Sequence, residues 1–245
     1  MGIFIGTSGW SYAHWRGVLY PPGVPAASWL EYYSSRFGTV ELNGSFYRWP
    51  RPATFEGWRR RLPAGFLLSV KAPRGLTHAK KLADPQQWIG RISGSLEALE
   101  GILASLLLQL PPDLERDDAR LAGFLAALPD WIHATVEFRH PSWIDDDVFT
   151  LLEEHGASYC IMSGPGLPCV LRTTAELVYL RLHGPETDQL YAGSYSDPEL
   201  GVWAQRIRNW DRAGHVVYVY FNNDGGGNAV RNAAALQDLL GSRTP

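Results

Sequence analysis

The chain has 245 residues, 45% of them hydrophobic and 19% charged, enough for one large core and incompatible with disorder, collagen or a coiled coil. A formal net charge of −3 gives no general reason for a polyanion partner, so nucleic acid would need a local basic patch and is not favoured. The longest apolar stretch, Ile102 to Leu110, is broken by Ser105 and Gln109 and falls far short of the roughly 20 residues of a spanning helix, so no membrane role is expected.

The start, MGIFIGTSG, has no basic leader and runs straight into strand-like sequence, which predicts a cytoplasmic protein. Strand-like runs begin near Ile3, Thr39, Phe66, Leu103, Ala134, Ser158, Val178 and Val216. Between them the pattern predicts helices over Ala26–Arg36, Thr54–Arg61, Gln87–Leu99, Asp117–Leu128, Asp145–His155, Glu199–Ala213 and, after the last strand, Ala229–Leu240. The sixth connection, SGPGLPCVLRTTAE, is rich in Gly and Pro, and no regular helix is expected there. Alternating strands and helices imply parallel pairing with right-handed crossovers. Eight such units in about 250 residues predict one α/β domain over residues 1–245, a (β/α)8 TIM-type barrel. An open doubly wound sheet is the alternative, but no GxGxxG follows the first strand. Two cysteines, Cys160 and Cys169, make neither a disulfide framework nor a zinc site.

Side chains alternate across a strand, and here the alternation sorts polar from apolar. Glu41 and Asn43 oppose Val40 and Leu42; Ser69 and Lys71 oppose Leu68 and Val70; Gln109 opposes Leu108 and Leu110. Glu137 and Arg139 oppose Val136 and Phe138; Arg181 and His183 oppose Leu180 and Leu182; Tyr220 and Asn222 oppose Val219 and Phe221. The apolar set must face the helices, so the polar set points into the barrel, near the C-terminal mouth where this architecture builds its sites. The bland alternative is a self-satisfied network, with Glu137 against Arg181 and Glu41 against Lys71.

The blocks GTSGWSYAHW, VELNGSFYRWP, FLLSVKAPRGLTH, LLLQLPP, VEFRHPSW, YLRLHG and VYVYFNN, in that order, resemble the YecE-like proteins, a family classed as a domain of unknown function. The resemblance spans Ile3 to about Leu240 and implies a TIM-type barrel with no established reaction. Matching positions include Gly9, Trp10, Tyr12, Trp15, Glu41, Asn43, Phe46, Tyr47, Lys71, His78, Gln109, Glu137, Arg139, His140, Trp143, Arg181, His183, Asn222 and Asn223.

Glu41 and Glu137 are the inward carboxylates and the acid/base candidates. Lys71, one of three lysines beside nineteen arginines, is a third catalytic candidate, as an anion anchor or proton-transfer group in preference to a Schiff-base former. Arg139 and Arg181 are expected to bind anions; His183, Asn43, Gln109 and Asn222 to frame the ligand by hydrogen bonds. His78, His140 and His183 could ligate a metal with a glutamate, but no HExxH or HxH supports this, and neither metal nor cofactor is expected. Gly225, Gly226 and Gly227, before an Ala-rich helix, could cradle an anion with their backbone N–H groups, or form a turn with Asn228 as helix cap. Trp10, Tyr12 and Tyr47 suit the faces of a sugar or base, or a lid. The Arg59–Arg61 run ends a helix before Pro63 and complements its dipole.

The expectation is an enzyme performing hydrolysis or elimination on a small polar, anionic or sugar-like ligand. The alternatives are a metal-dependent phosphoesterase, with nucleic acid one of the substrates it would suit, and a ligand-binding barrel without catalysis.

Overall fold

The computed structural model describes residues 2–186 and 188–241. Eight strands, β1 (Ile3–Thr7), β2 (Thr39–Leu42), β3 (Leu67–Lys71), β4 (Leu103–Gln109), β5 (Ala134–Glu137), β6 (Ser158–Ser163), β7 (Leu177–Leu182) and β8 (Val216–Phe221), form one sheet in the order β1-β8-β7-β6-β5-β4-β3-β2. Every pairing is parallel. Helices α1 (Trp29–Ser34), α2 (Pro52–Arg59), α3 (Gln86–Leu96), α4 (Asp118–Ala127), α5 (Asp146–Glu154), α6 (Asp197–Arg212) and α7 (Asn228–Leu240) cover the outside, and no helix lies between β6 and β7. No helix is long and apolar enough to cross a membrane among the described residues.

The barrel is nearly closed. At the seam, β1 and β2 share one bridge, Ser8 to Glu41, with the Gly9 N–H donating to the Glu41 carbonyl at 2.8 Å. Below it the Tyr33 hydroxyl of α1 accepts from the Thr7 N–H at 2.9 Å and donates to the Thr39 carbonyl at 3.1 Å, stitching the two strands. Gly6 permits this approach, because a Cβ there would sit 2.2 Å from the Thr39 carbonyl oxygen.

Several helix starts differ from the pattern for local reasons. The first unit opens as a 3-10 turn, Ala26–Ser28, before α1. α2 begins at Pro52, whose missing N–H costs nothing in a first turn. α6 begins at Asp197 because Ser196 and Glu199 form a capping box, so Glu199 is its third residue instead of its first. α7 is capped by Gly227 at φ 79°, not by Asn228.

Two apolar layers follow the strand parity. The outer one packs Leu68, Val70, Leu106, Leu108, Val136, Leu180 and Val219 against the helices, all fully buried. The inner one fills the barrel with Leu107, Cys160, Met162, Tyr179, Tyr218 and Tyr220. Leu180→Asp should therefore unfold the protein, since an unpaired charge in the outer layer costs several kcal/mol. A melting temperature unchanged from wild type would show the faces reversed.

Candidate active site

Three strands place Glu41, Glu137 and Arg181 at the C-terminal mouth, and all three side chains are fully buried. Arg181 lies between the carboxylates. Its Nε and Nη2 donate to Glu41 at 2.9 and 2.8 Å, and its Nη1 donates to Glu137 at 2.6 Å. Glu41 also accepts from Ser8 Oγ at 2.6 Å and from the Tyr179 hydroxyl at 2.8 Å. Glu137 also accepts from Gln109 Nε2 at 2.6 Å and Arg139 Nε at 2.5 Å. Burial alone would raise the Glu41 carboxyl, but Arg181 and the Ser8 hydrogen bond outweigh it and hold it below the ordinary carboxylate range. At Glu137 burial is likewise outweighed by Arg181 and Arg139, and the group is held well below that range. Both glutamates are thus ionised near neutral pH, and Arg181, expected to meet a ligand anion, has its Nε, Nη1 and Nη2 engaged by the protein's own two.

Lys71 does not join this cluster through a hydrogen bond. Its Nζ stands 4.3 Å from the centre of the Phe46 ring and makes no hydrogen bond or ion pair to a described residue, although the side chain is only 7% exposed. Burial, then the Arg181 charge, push its pKa from 10.5 to about 8, against the pull of Glu137 and Glu41. The Glu41–Lys71 pair suggested by the strand pattern is replaced by Glu41–Arg181.

Other groups with free valences stand near this amine or on the neighbouring strand ends. Arg139 contacts Glu137 through Nε and Nη2, leaving Nη1 without a hydrogen bond to a described residue. Half-buried His78 bonds Thr77 Oγ1 through Nδ1 at 2.9 Å and meets the Phe46 ring edge-on at 4.9 Å, so that one phenyl ring supports both His78 and Lys71. Burial, then Lys71, lower the His78 pKa, so it is neutral. Asn43, half-buried, begins the 3-10 turn Gly44–Phe46, and its side chain has no hydrogen bond to a described residue.

His183 is fully buried, its Nδ1 accepting from Asn222 Nδ2 at 3.3 Å. Its Nε2 faces Glu137 Oε2 at 3.8 Å and Arg139 Nη2 at 3.4 Å. Burial pushes its pKa down to about 4, which makes it a neutral positioning group. Exposed Tyr191, from the loop after β7, meets its ring at 5.2 Å.

The aromatic rim divides. Phe46 is the floor beneath Lys71, and exposed Tyr47 stands edge-on to it at 5.1 Å. Tyr12 donates to the Ser8 carbonyl at 2.7 Å and packs on Trp15; burial pushes its pKa up to about 12. Trp10 packs edge-on to Trp58 of α2 at 5.3 Å, part of the outer layer.

The glycine turn lies beside a carboxylate. The Asp224 carboxylate just ahead of it accepts from Trp15 Nε1 at 2.6 Å and pairs with His14 Nε2 at 2.8 Å. The Gly226 carbonyl takes Arg231 Nη1 at 2.8 Å, and Gly227 is buried against Val18. Arg181, also expected to bind anions, is buried and engaged by Glu41 and Glu137, while the glycine turn has a carboxylate at its edge.

His140 bonds Ser142 at 2.8 Å. Among the described residues no three His, Cys, Asp or Glu side chains are grouped to hold a metal ion. The buried Cys160 thiol, 3.7 Å from Glu137 Oε2, is pushed well up by burial and then by that carboxylate, so it stays protonated. Ser8 and Tyr179 hold Glu41 and were not anticipated. Tyr179 shares its parity with Arg181 two residues on, whereas Ser8 lies one residue past β1 and carries no such signal.

The family model described as "Protein of unknown function DUF72" matches residues 4–245. The UPF0759 protein YunF of Bacillus subtilis (strain 168) is 26% identical, covering 97% of this chain and 94% of that protein. The crystal structure of a DUF72 family protein from Thermotoga maritima MSB8 is 30% identical with a TM-score of 0.89, covering 98% of this chain and 100% of that one. A DUF72 family protein from Enterococcus faecalis V583, 20% identical with a TM-score of 0.85 over 98% of this chain and 95% of that one, shares the fold. With the barrel, the ordered blocks and these likenesses in agreement, the chain belongs to the DUF72 family.

Proposed function

We propose that the mouth is the active site of an enzyme that moves a proton on a small polar substrate bearing a negative charge, with Lys71 as the reacting group. The observation that carries this reading is the Lys71 amine, buried and without a hydrogen-bond partner among the described residues, beside inward glutamates and arginines that pair with one another. Glu41 and Glu137 balance Arg181 and Arg139, so a protonated Lys71 leaves one positive charge for a ligand. Arg139 Nη1, His78 Nε2 and the Asn43 amide supply further hydrogen-bonding groups. A lysine with a pKa of about 8 is charged in most molecules at neutral pH, attracting the anion, and neutral in roughly a tenth of them, able to take a proton.

A glycosidase-like division of labour needs one carboxyl to start protonated. Both glutamates here are held ionised, so their role is to fix Arg181 and, through Glu137, Arg139. This favours proton abstraction or elimination over hydrolysis by the carboxylate pair.

Melting curves with phosphate, sulfate and acetate against chloride at constant ionic strength test the reading. Wild type should be stabilised by at least one of the anions, and Lys71→Met and Arg139→Gln should each lose that response. No stabilisation beyond chloride, or an equal response in both variants, would overturn it.

A further inference from the structure

We infer that Lys71 forms an imine with its substrate, which makes the substrate class a small aldehyde or ketone that also carries an anionic group. This rests on the reading of the mouth given above and names the chemistry of the same amine. An anchor for anions alone is better made from guanidinium, which offers a planar fork of donors. The chain has nineteen arginines and three lysines, and two of those arginines already stand in the mouth. A lysine at this position supplies what arginine lacks, a nitrogen lone pair available near neutral pH.

The surroundings fit that use. Among the described residues no carboxylate accepts a hydrogen bond from Lys71 to hold its proton in place, and the ring of Phe46 at 4.3 Å gives the amine an apolar floor. Arg181 and Arg139 add positive charge nearby and oppose protonation. His78, supported by the same ring, has Nδ1 on Thr77 and Nε2 without a hydrogen bond to a described residue, which suits a proton shuttle. The other lysines lack these features: Lys81 pairs with Asp113 at 2.8 Å, and Lys80 is exposed.

In the step itself, the Lys71 lone pair forms the N–C bond while the carbonyl π pair moves to oxygen. A proton passes from nitrogen to that oxygen by way of His78 Nε2. The remaining N–H proton then follows to the hydroxyl, the C–O bond breaks, water leaves and the nitrogen pair closes the C=N bond. One amine and one carbonyl become one imine and one water, with no oxidant or reductant. Protonated again at nitrogen, the imine draws electrons from the adjacent carbon, which makes a proton on that carbon removable and agrees with proton abstraction or elimination. The anionic group of the substrate falls to Arg139 Nη1 and Asn43.

The intact chain is treated at pH 7 with glyoxylate and cyanoborohydride, which reduces an imine to a stable secondary amine, and the modified residues are mapped by mass spectrometry. Lys71 should gain one carboxymethyl group at least about tenfold faster than Lys80 or Lys81, because a pKa of about 8 leaves roughly a tenth of its amines neutral and nucleophilic at pH 7. In Lys71→Arg only the slow labelling of the other two should remain among the lysine side chains. Labelling of Lys80 and Lys81 at the rate of Lys71, or ahead of it, would overturn the inference. If anions stabilise the chain through Lys71 while glyoxylate labels only Lys80 and Lys81, the imine is wrong and the anion site stands. If neither response appears, both are wrong.

Discussion

Arg181→Met is expected to unfold the protein or leave it barely folded. It would strand two fully buried carboxylates, Glu41 and Glu137, without the cation between them. Breaking one such buried pair costs about 3–5 kcal/mol, and this change breaks two, against a total stability of about 5–15 kcal/mol for a typical domain. The same physics predicts a rescue. Removing all three charges together, in Arg181→Met with Glu41→Gln and Glu137→Gln, should recover part of the loss in urea unfolding, because no carboxylate of the cluster is then left buried without its cation, while Arg139, which loses Glu137, keeps an edge at the surface. A single variant as stable as wild type, or a triple variant no better than the single, would mean that the clamp does not hold the mouth together.

The clamp also sets the acid limit. Both glutamates have folded pKa values below their ordinary 4.5, so the stability they contribute is full above that value and is lost progressively as pH falls from there through the lower folded values. His183 begins the loss earlier. Its folded pKa is about 4 against 6.5, so between those values the unfolded chain takes up a proton that the folded one refuses, and stability falls as pH drops.

Lys71→Met is expected to stabilise the protein at pH 7 while abolishing the anion response. The folded pKa of about 8 lies below the ordinary 10.5, so the folded state disfavours the charged amine, by about 3 kcal/mol at most. Between those values the unfolded chain holds more protons, so wild-type stability rises with pH through that window. The advantage of the methionine variant should therefore be largest below pH 8 and shrink above it. Methionine is close to lysine in length and keeps contact with Phe46, so packing loss is small. A variant less stable than wild type at pH 7 would show that Lys71 is a structural cation.

Strand parity made the barrel and the inward positions of Glu41, Lys71, Glu137 and Arg181 legible, because a two-residue period is written into each strand separately. What a strand cannot carry is which side chains meet across the barrel, since that depends on tilt and stagger summed over eight pairings. Glu41 and Arg181 are 140 residues apart in sequence, and nothing local distinguishes that pairing from one between Glu41 and Lys71. Tyr179, Tyr218 and Tyr220 fill the inner layer, yet read locally as strand formers with no direction. The glycine turn was legible as a turn. Its closure by Trp15 and His14 onto Asp224, more than 200 residues away, was not, because loop-to-loop contacts leave no periodic trace.

The central claim is that Lys71 is an uncommitted amine facing the ligand, and its titration tests this most directly. With the ε-carbons of lysine labelled with carbon-13, the three side chains give three sets of signals that follow protonation by NMR. The Lys71 midpoint should fall at about 8 and move upward when phosphate is added, because a bound anion favours the charged form. A midpoint at the ordinary 10.5 that phosphate leaves unchanged would contradict the account.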